Sequence, residues 1–272
     1  MTEGLLACLA GLLVGSFLNV CIYRLPRDLS VVRPRSFCPS CEKTVAWYDN
    51  IPVLSYLLLR GRCRYCRQPI RLRYPLVEIA TAAAFCLAVA TLGWTLAALE
   101  FCVFSAIVIT LIATDLEERI LPDEFTLGGT ALGLVFSAFV PLPAGVAGLL
   151  LPAGVDGRWR SVAESAFAAV VASGSIWLVG ALYEKVRHRE GLGLGDVKMV
   201  ALIGAFLGLP GALLTLIAGS MLGAVSGLIY IVLTRKDAST YELPFGAFLG
   251  AAALAVAVFG KNVVAWYLRL GA

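Results

Sequence analysis

Eight apolar runs dominate this sequence, at 4–22, 75–93, 96–114, 125–141, 162–182, 191–209, 211–233 and 243–260. Each is about as long as a helix needs to cross roughly 30 Å of hydrocarbon. Of the 272 residues, 60% are hydrophobic and 15% charged, and the mean hydropathy is +0.86, well outside the balance of a water-soluble domain. The expected fold class is therefore an all-α polytopic membrane protein with about eight transmembrane helices. The first run is followed, not preceded, by positive charge, and no small-residue cleavage pattern closes it. Residues 1–23 are expected to stay as the first transmembrane helix, not to be removed as a signal peptide.

Charge gives the orientation. The segment 24–75 holds eleven of the chain's 22 Arg and Lys residues against three acids, Asp28, Glu42 and Asp49. It is short enough for the positive-inside rule, which makes it cytoplasmic. Alternation then puts Lys185, Arg187, Arg189, Arg235 and Lys236 on the same side, and Arg158, Arg160, Lys261 and Arg269 outside. A basic inner face suits anionic headgroups, so the net charge of +4 gives no reason to expect nucleic-acid binding.

Only residues 24–74 form a soluble segment large enough to fold. They carry "CPSC" (Cys38, Cys41) and "CRYC" (Cys63, Cys66), two C-x2-C knuckles whose four thiolates can close a tetrahedral zinc site. The competing reading is two disulfides or redox thiols, which a cytoplasmic location disfavours. A closed four-thiolate site has no open position, so this zinc is expected to be structural and the chemistry to lie elsewhere. Cys8, Cys21, Cys86 and Cys102 fall in helices and read as small buried apolar residues.

The stretch "REGLGLGDVK" (189–198) puts a carboxylate behind alternating glycines at the start of an apolar run. A span beginning at 191 would sink Asp196 about 8 Å along the helix axis. The glycines let another backbone come close. In "ATDLEERILPDEF" (113–125), Asp115 ends a span that runs toward the same face. Two membrane-embedded acids meeting across a bundle can share one proton, as in aspartic proteases. They can also serve a proton pathway. Glu117, Glu118, Glu124 and Asp123 read as helix-end charges, Asp123 following Pro122 where a helix starts. Glu78 and Glu100 also lie near helix ends, where an acid either serves structure or helps line a polar site. His188 is the only histidine, and without H-E-x-x-H or a serine paired to a histidine base, zinc-protease and Ser-His mechanisms are excluded.

Taken in order, "GSFLNVCIYRLPR" (15–27), the paired knuckles, "WYDNIPVLSYLLLRGRCRYC" (47–66), "YPLVE" (74–78), "TDLEERILPDEFTL" (114–127) and "GLGLGDVKM" (191–199) resemble the bacterial prepilin peptidases. These type IV leader peptidases are intramembrane aspartic proteases of the GxGD class. The resemblance covers nearly the whole chain and implies Asp115 and Asp196 as the catalytic pair. It implies as substrates type IV prepilins and type II secretion pseudopilins, cut at the cytoplasmic face of the bacterial inner membrane, after the glycine of a short basic leader. With four cysteines present it also implies N-methylation of the new N-terminus using S-adenosylmethionine, for which no Rossmann-type glycine pattern marks a pocket. The segment 140–161 lengthens the interval between the two acids, and Ala247 stands in "ELPFGAFLG" (242–250) where a proline is common. The resulting division is a first helix at 1–23, a zinc-binding domain at 24–74 and a transmembrane aspartic peptidase bundle at 75–272. Gly219, Gly223 and Gly227 recur every fourth residue, a stripe suited to close helix packing. The rivals are a proton-coupled transporter using the same acids, for which no internal repeat is found, and a noncatalytic scaffold built on the zinc domain.

Overall fold

The computed structural model describes residues 2–142, 145–146, 151–152, 154–188, 191–234 and 243–270. Arg189, Arg235 and Lys236, and part of 140–161, lie outside the described residues, as do the side chains of Lys261 and Arg269. The described chain is helical, with no strand beyond two isolated bridges. It divides into two compact units, Met1–Thr114 and Asp115–Ala272.

In the first unit, α1 (Thr2–Arg24) and α3 (Arg73–Leu92) run antiparallel. The Cys86 thiol donates to the Gly4 carbonyl at one end, and Gly11 and Gly15 lie against the backbones of Ala82 and Glu78 further along. A Cβ on Gly11 would come within 2.6 Å of Ala82 Cα, so the pair packs this closely only because the side chain is missing. This is the small-residue contact that membrane helices use in place of a hydrophobic drive.

Between them lies the four-cysteine segment, with one short helix, α2 (Leu54–Leu58), and two knuckles that copy one another. In the first, Cys38 N–H donates to Lys43 O and Glu42 N–H to Cys38 O. In the second, 25 residues on, Cys63 N–H donates to Gln68 O and Arg67 N–H to Cys63 O. Phe37 bridges Thr44 as Arg62 bridges Pro69, and Glu42 and Arg67 both adopt positive φ. The Arg24 guanidinium, 4% exposed, donates to the carbonyls of Ser30, Pro34 and Arg35 and so ties this segment to the end of α1.

The second unit begins in the last turn of α4 (Leu96–Glu118) and continues through α5 (Asp123–Ser137), α6 (Gly157–Arg187), α7 (Leu194–Thr234) and α8 (Phe245–Leu270). α7 has 41 residues and breaks at Gly208, whose φ is +68, just before Pro210. At 1.5 Å per residue it is about 60 Å long, twice the hydrocarbon thickness. Its first half runs antiparallel to α6, with Gly204 against the Ala168 backbone and Ser165 donating to Ala205 O at 2.7 Å. It runs parallel to α5, where Gly133 meets Ala205. The glycine stripe packs toward α8 and the residues just before it: Gly219 meets Leu249 and Gly223 meets Phe248 on the helix, and Gly227 meets Leu243 ahead of it.

Among the described residues, five helices are long and apolar enough to cross a membrane, with α7 counted once; α5 has 15 residues, and Phe245–Gly260 of α8 is a shorter apolar stretch. Length and composition therefore support a multi-pass chain without fixing the count at eight.

Candidate active site

Asp115 lies in the last turn of α4 and is 6% exposed. The helix ends three residues later, at Glu118, and Arg119 turns the chain with φ of +57. Pro122 then caps α5, whose first residue is Asp123. Asp115 Oδ2 accepts a 2.7 Å hydrogen bond from the backbone N–H of Ala247, in the first turn of α8. The same N–H also reaches Pro244 O at 3.2 Å, and the positive partial charge at a helix start favours the shorter bond to the carboxylate. Gly246 leaves room for that approach: a Cβ there would sit 3.2 Å from Asp115 Cγ and 3.1 Å from Leu121 Cδ1.

Asp196 lies in the first turn of α7, its N–H donating to Gly193 O at 3.1 Å. The sequence expectation had the helix start at 191; it starts at Leu194, with Gly191 and Gly193 left outside it, so Asp196 sits about one turn nearer its beginning. A Cβ on Gly193 would lie 3.6 Å from Asp196 Oδ2 and one on Gly195 3.2 Å from Leu121 Cβ. Leu121 is thus the shared neighbour of the Gly195 and Gly246 backbones. Asp196 is partly buried. Lys198 and Asp123 pair at 2.7 Å and link the start of α7 to the start of α5.

The structure thus brings the two acids singled out from sequence into one neighbourhood and leaves Asp123, 58% exposed at its side chain, in an ion pair at the surface. Sequence reasoning gave no role to Leu121, Gly246 or Ala247. The motif "ELPFGAFLG" was the signal, but the donor is a backbone N–H, which no side chain advertises. A proline at 247 would have no such proton to give.

The four knuckle cysteines of the first unit also converge. Their sulfurs all lie within 4.8 Å of one another, and Cys38 and Cys66 are 3.8 Å apart. A disulfide needs about 2.05 Å, and all eight cysteines are free. Four thiolates around zinc at about 2.3 Å would stand about 3.8 Å apart, so the donor set and its spacing fit that ion.

Glu78 is 7% exposed and accepts from Val53 N–H at 2.7 Å. The motif residues of α1 are likewise occupied: Gly15 in helix contact, Asn19 donating to Tyr74 O at 3.0 Å, Arg24 holding the loop.

Two family models match. The Bacterial Peptidase A24 N-terminal domain covers residues 9–92 and the Type IV leader peptidase family covers 102–228. Among relatives named prepilin leader peptidase/N-methyltransferase, the protein from Pseudomonas putida is 35% identical over 97% of this chain and 93% of its own length. That from Aeromonas hydrophila is 33% identical over 97% and 93%, and that from Neisseria gonorrhoeae 34% over 82% and 81%. No solved structure matches. With its long apolar helices and these matches, the chain is a multi-pass membrane protein and a member of the type IV leader peptidase family.

Proposed function

We propose that this chain is an intramembrane aspartic endopeptidase that removes the leader of type IV prepilins and type II secretion pseudopilins, and that it also N-methylates the new N-terminus. The observation that supports the peptidase reading is that Leu121 lies against Gly195, next to Asp196, and against Gly246, next to the Asp115 carboxylate, in a chain of this family. One carboxylate takes a proton from water as the oxygen attacks the scissile carbonyl, while the protonated partner donates to the carbonyl oxygen. Collapse of the tetrahedral intermediate returns a proton to the leaving amine. The N–H of Ala247 orients Asp115, and the glycines before Asp196 leave space for an extended peptide. The relatives carry a peptidase and methyltransferase name, which gives the transporter alternative no support.

The rest of the reading follows the charge and the family. Eight crossings account for the helices, with α7 crossing twice about Gly208. Residues 24–74 fold around a structural zinc held by Cys38, Cys41, Cys63 and Cys66, and 75–272 form the peptidase bundle. Both the zinc domain and the acids face the cytoplasm of the bacterial inner membrane. S-adenosylmethionine, when bound, supplies the methyl group.

The test is cleavage of a prepilin in membranes by Asp115→Asn and Asp196→Asn separately. Each is expected to lower the rate by at least about a hundredfold while the chain stays folded. Full activity in either variant refutes the pairing.

A further inference from the structure

The short helix α2 of the first unit is turned inside out for a segment in water. Ser55 is buried, its hydroxyl donating to Tyr48 O at 2.9 Å and accepting from Ile51 N–H at 3.1 Å. Leu54, Leu57 and Leu58, spaced i, i+3 and i+4 and so on one face, are 49%, 65% and 74% exposed. Trp47 and Ile51, just ahead in the same hydrogen-bonded piece, are exposed as well. A cluster of large exposed apolar side chains marks a surface that something covers.

Two further observations name the cover. The first is depth. Val53, the residue that caps α2, donates its N–H to Glu78 Oε2 at 2.7 Å, and the side chain of Ser16 in α1 hydrogen-bonds the same carboxylate. Glu78 stands five residues inside α3, whose first residue is Arg73, and Ser16 stands eight residues before Arg24, the last of α1. At 1.5 Å per residue these positions are about 7.5 Å and 12 Å below the basic ends of the two spans. The start of α2 is therefore sunk beneath the arginines, not raised above them into water. Val53 reaches this place with a φ of +60, which a β-branched residue rarely adopts. The second observation is charge. The chain from Leu59 to Arg73 carries six arginines and no acid. Arg64 within it is clamped to Asp49 by hydrogen bonds of 2.7 and 2.6 Å, which ties the basic run to the 47–58 stretch.

We propose that residues 47–58 are an interfacial anchor whose apolar face lies between the headgroups and acyl chains of the leaflet, with the arginines after it holding anionic phospholipid headgroups. Segments that lie in the interface divide in this way, leucine and tryptophan toward the acyl chains and arginine toward the phosphates. The four-cysteine segment is then held down on the bilayer by a third contact besides α1 and α3. The inference rests on α1 and α3 as membrane spans and on neither enzymatic activity.

The test uses the full-length chain in nanodiscs of phosphatidylethanolamine and phosphatidylglycerol. A benzophenone amino acid is placed at Leu57, at Leu58 or, as a control, at the exposed acid Glu42, with melting transitions confirming that each variant folds, and the photoproducts are mapped by mass spectrometry. Phospholipid adducts are expected at 57 and 58 and lost at 42, with phosphatidylglycerol enriched over its share of the bilayer. The natural Trp47 gives a second reading. The emission that disappears in Trp47→Phe is expected to be quenched by lipids brominated near the top of the acyl chain and protected from aqueous acrylamide. Adducts to residues 115–272 would give the face to the second unit, adducts to another copy to a dimer, and adducts to an added prepilin in place of lipid to the substrate. Each of these overturns the proposal, as does equal lipid labelling at 42, or a Trp47 open to acrylamide with no lipid adduct at 57 or 58.

Discussion

Gly246 is the residue with the least freedom near the acids. An alanine Cβ would stand 3.1 Å from Leu121 Cδ1 and 3.2 Å from Asp115 Cγ and Oδ2, closer than ordinary contact. Either the carboxylate or the leucine must move, and a displacement of about 1 Å at a reacting group can lower a rate on the order of a hundredfold. Gly246→Ala is therefore expected to fold normally and to cut prepilin cleavage by about tenfold to a hundredfold, measured as kcat/KM in membranes. A wild-type rate would mean that the Asp115 position is not set here. Asp115 and Asp196 were singled out in sequence by their depth at helix ends on the same face and by the motifs around them, although neighbouring acids such as Asp123 read as ordinary helix-end charges. The groups that position the two acids were not singled out. Leu121 looks like any loop leucine, and Ala247 acts through its backbone, so only the meeting of segments far apart in the chain gives either a role.

At the scale of elements, the apolar runs forecast where helices lie, and the ends were less legible. α7 begins at Leu194, with Gly191 and Gly193 left outside it, and α5 stops at 15 residues. The internal copying of the knuckles was legible as paired C-x2-C, but the matching hydrogen bonds and positive-φ residues were not. If the four thiolates hold zinc, the purified chain should contain about one zinc ion. Cys41→Ser or chelation should then remove the unfolding transition of this segment, since metal binding supplies folding free energy. A metal-free chain with an unchanged melting profile would count against it. Helix contact gives a test by sign. Alanine is normally favoured over glycine inside a helix by about 1 kcal/mol. Gly4 has open space around its Cβ direction while Gly11 meets the Ala82 backbone. Gly4→Ala should be neutral or slightly stabilising, and Gly11→Ala should destabilise by about 1–3 kcal/mol, read as shifts in thermal unfolding.

For the whole molecule, the directions of the helices and the distribution of charge can be set against each other. In the proposed orientation the eleven basic residues of 24–75 face inward, as the positive-inside rule expects. Within the second unit, α5 and the first half of α7 run parallel while α6 runs antiparallel to that half, the pattern expected when α6 returns from outside to inside between two outward crossings. α6 has 31 residues, about 46 Å at 1.5 Å per residue, more than the roughly 30 Å of hydrocarbon. Its last turn carries Lys185 and Arg187, which the proposed orientation puts on the cytoplasmic side, and its first turn Arg158 and Arg160, which it puts outside. Single cysteines at exposed positions can test this with a membrane-impermeant maleimide on spheroplasts. Gly154→Cys, just before α6 with nothing packed against it, is expected to react in intact spheroplasts. Arg187→Cys at the other end of the helix, and Val32→Cys in the cysteine segment, 79% exposed, should react only after lysis. Reaction of Val32→Cys in intact cells would reverse the orientation and move the cysteine segment out of the cytoplasm. Reaction of Gly154→Cys and Arg187→Cys from the same side would mean that α6 does not cross, leaving its two charged ends on one face despite its length.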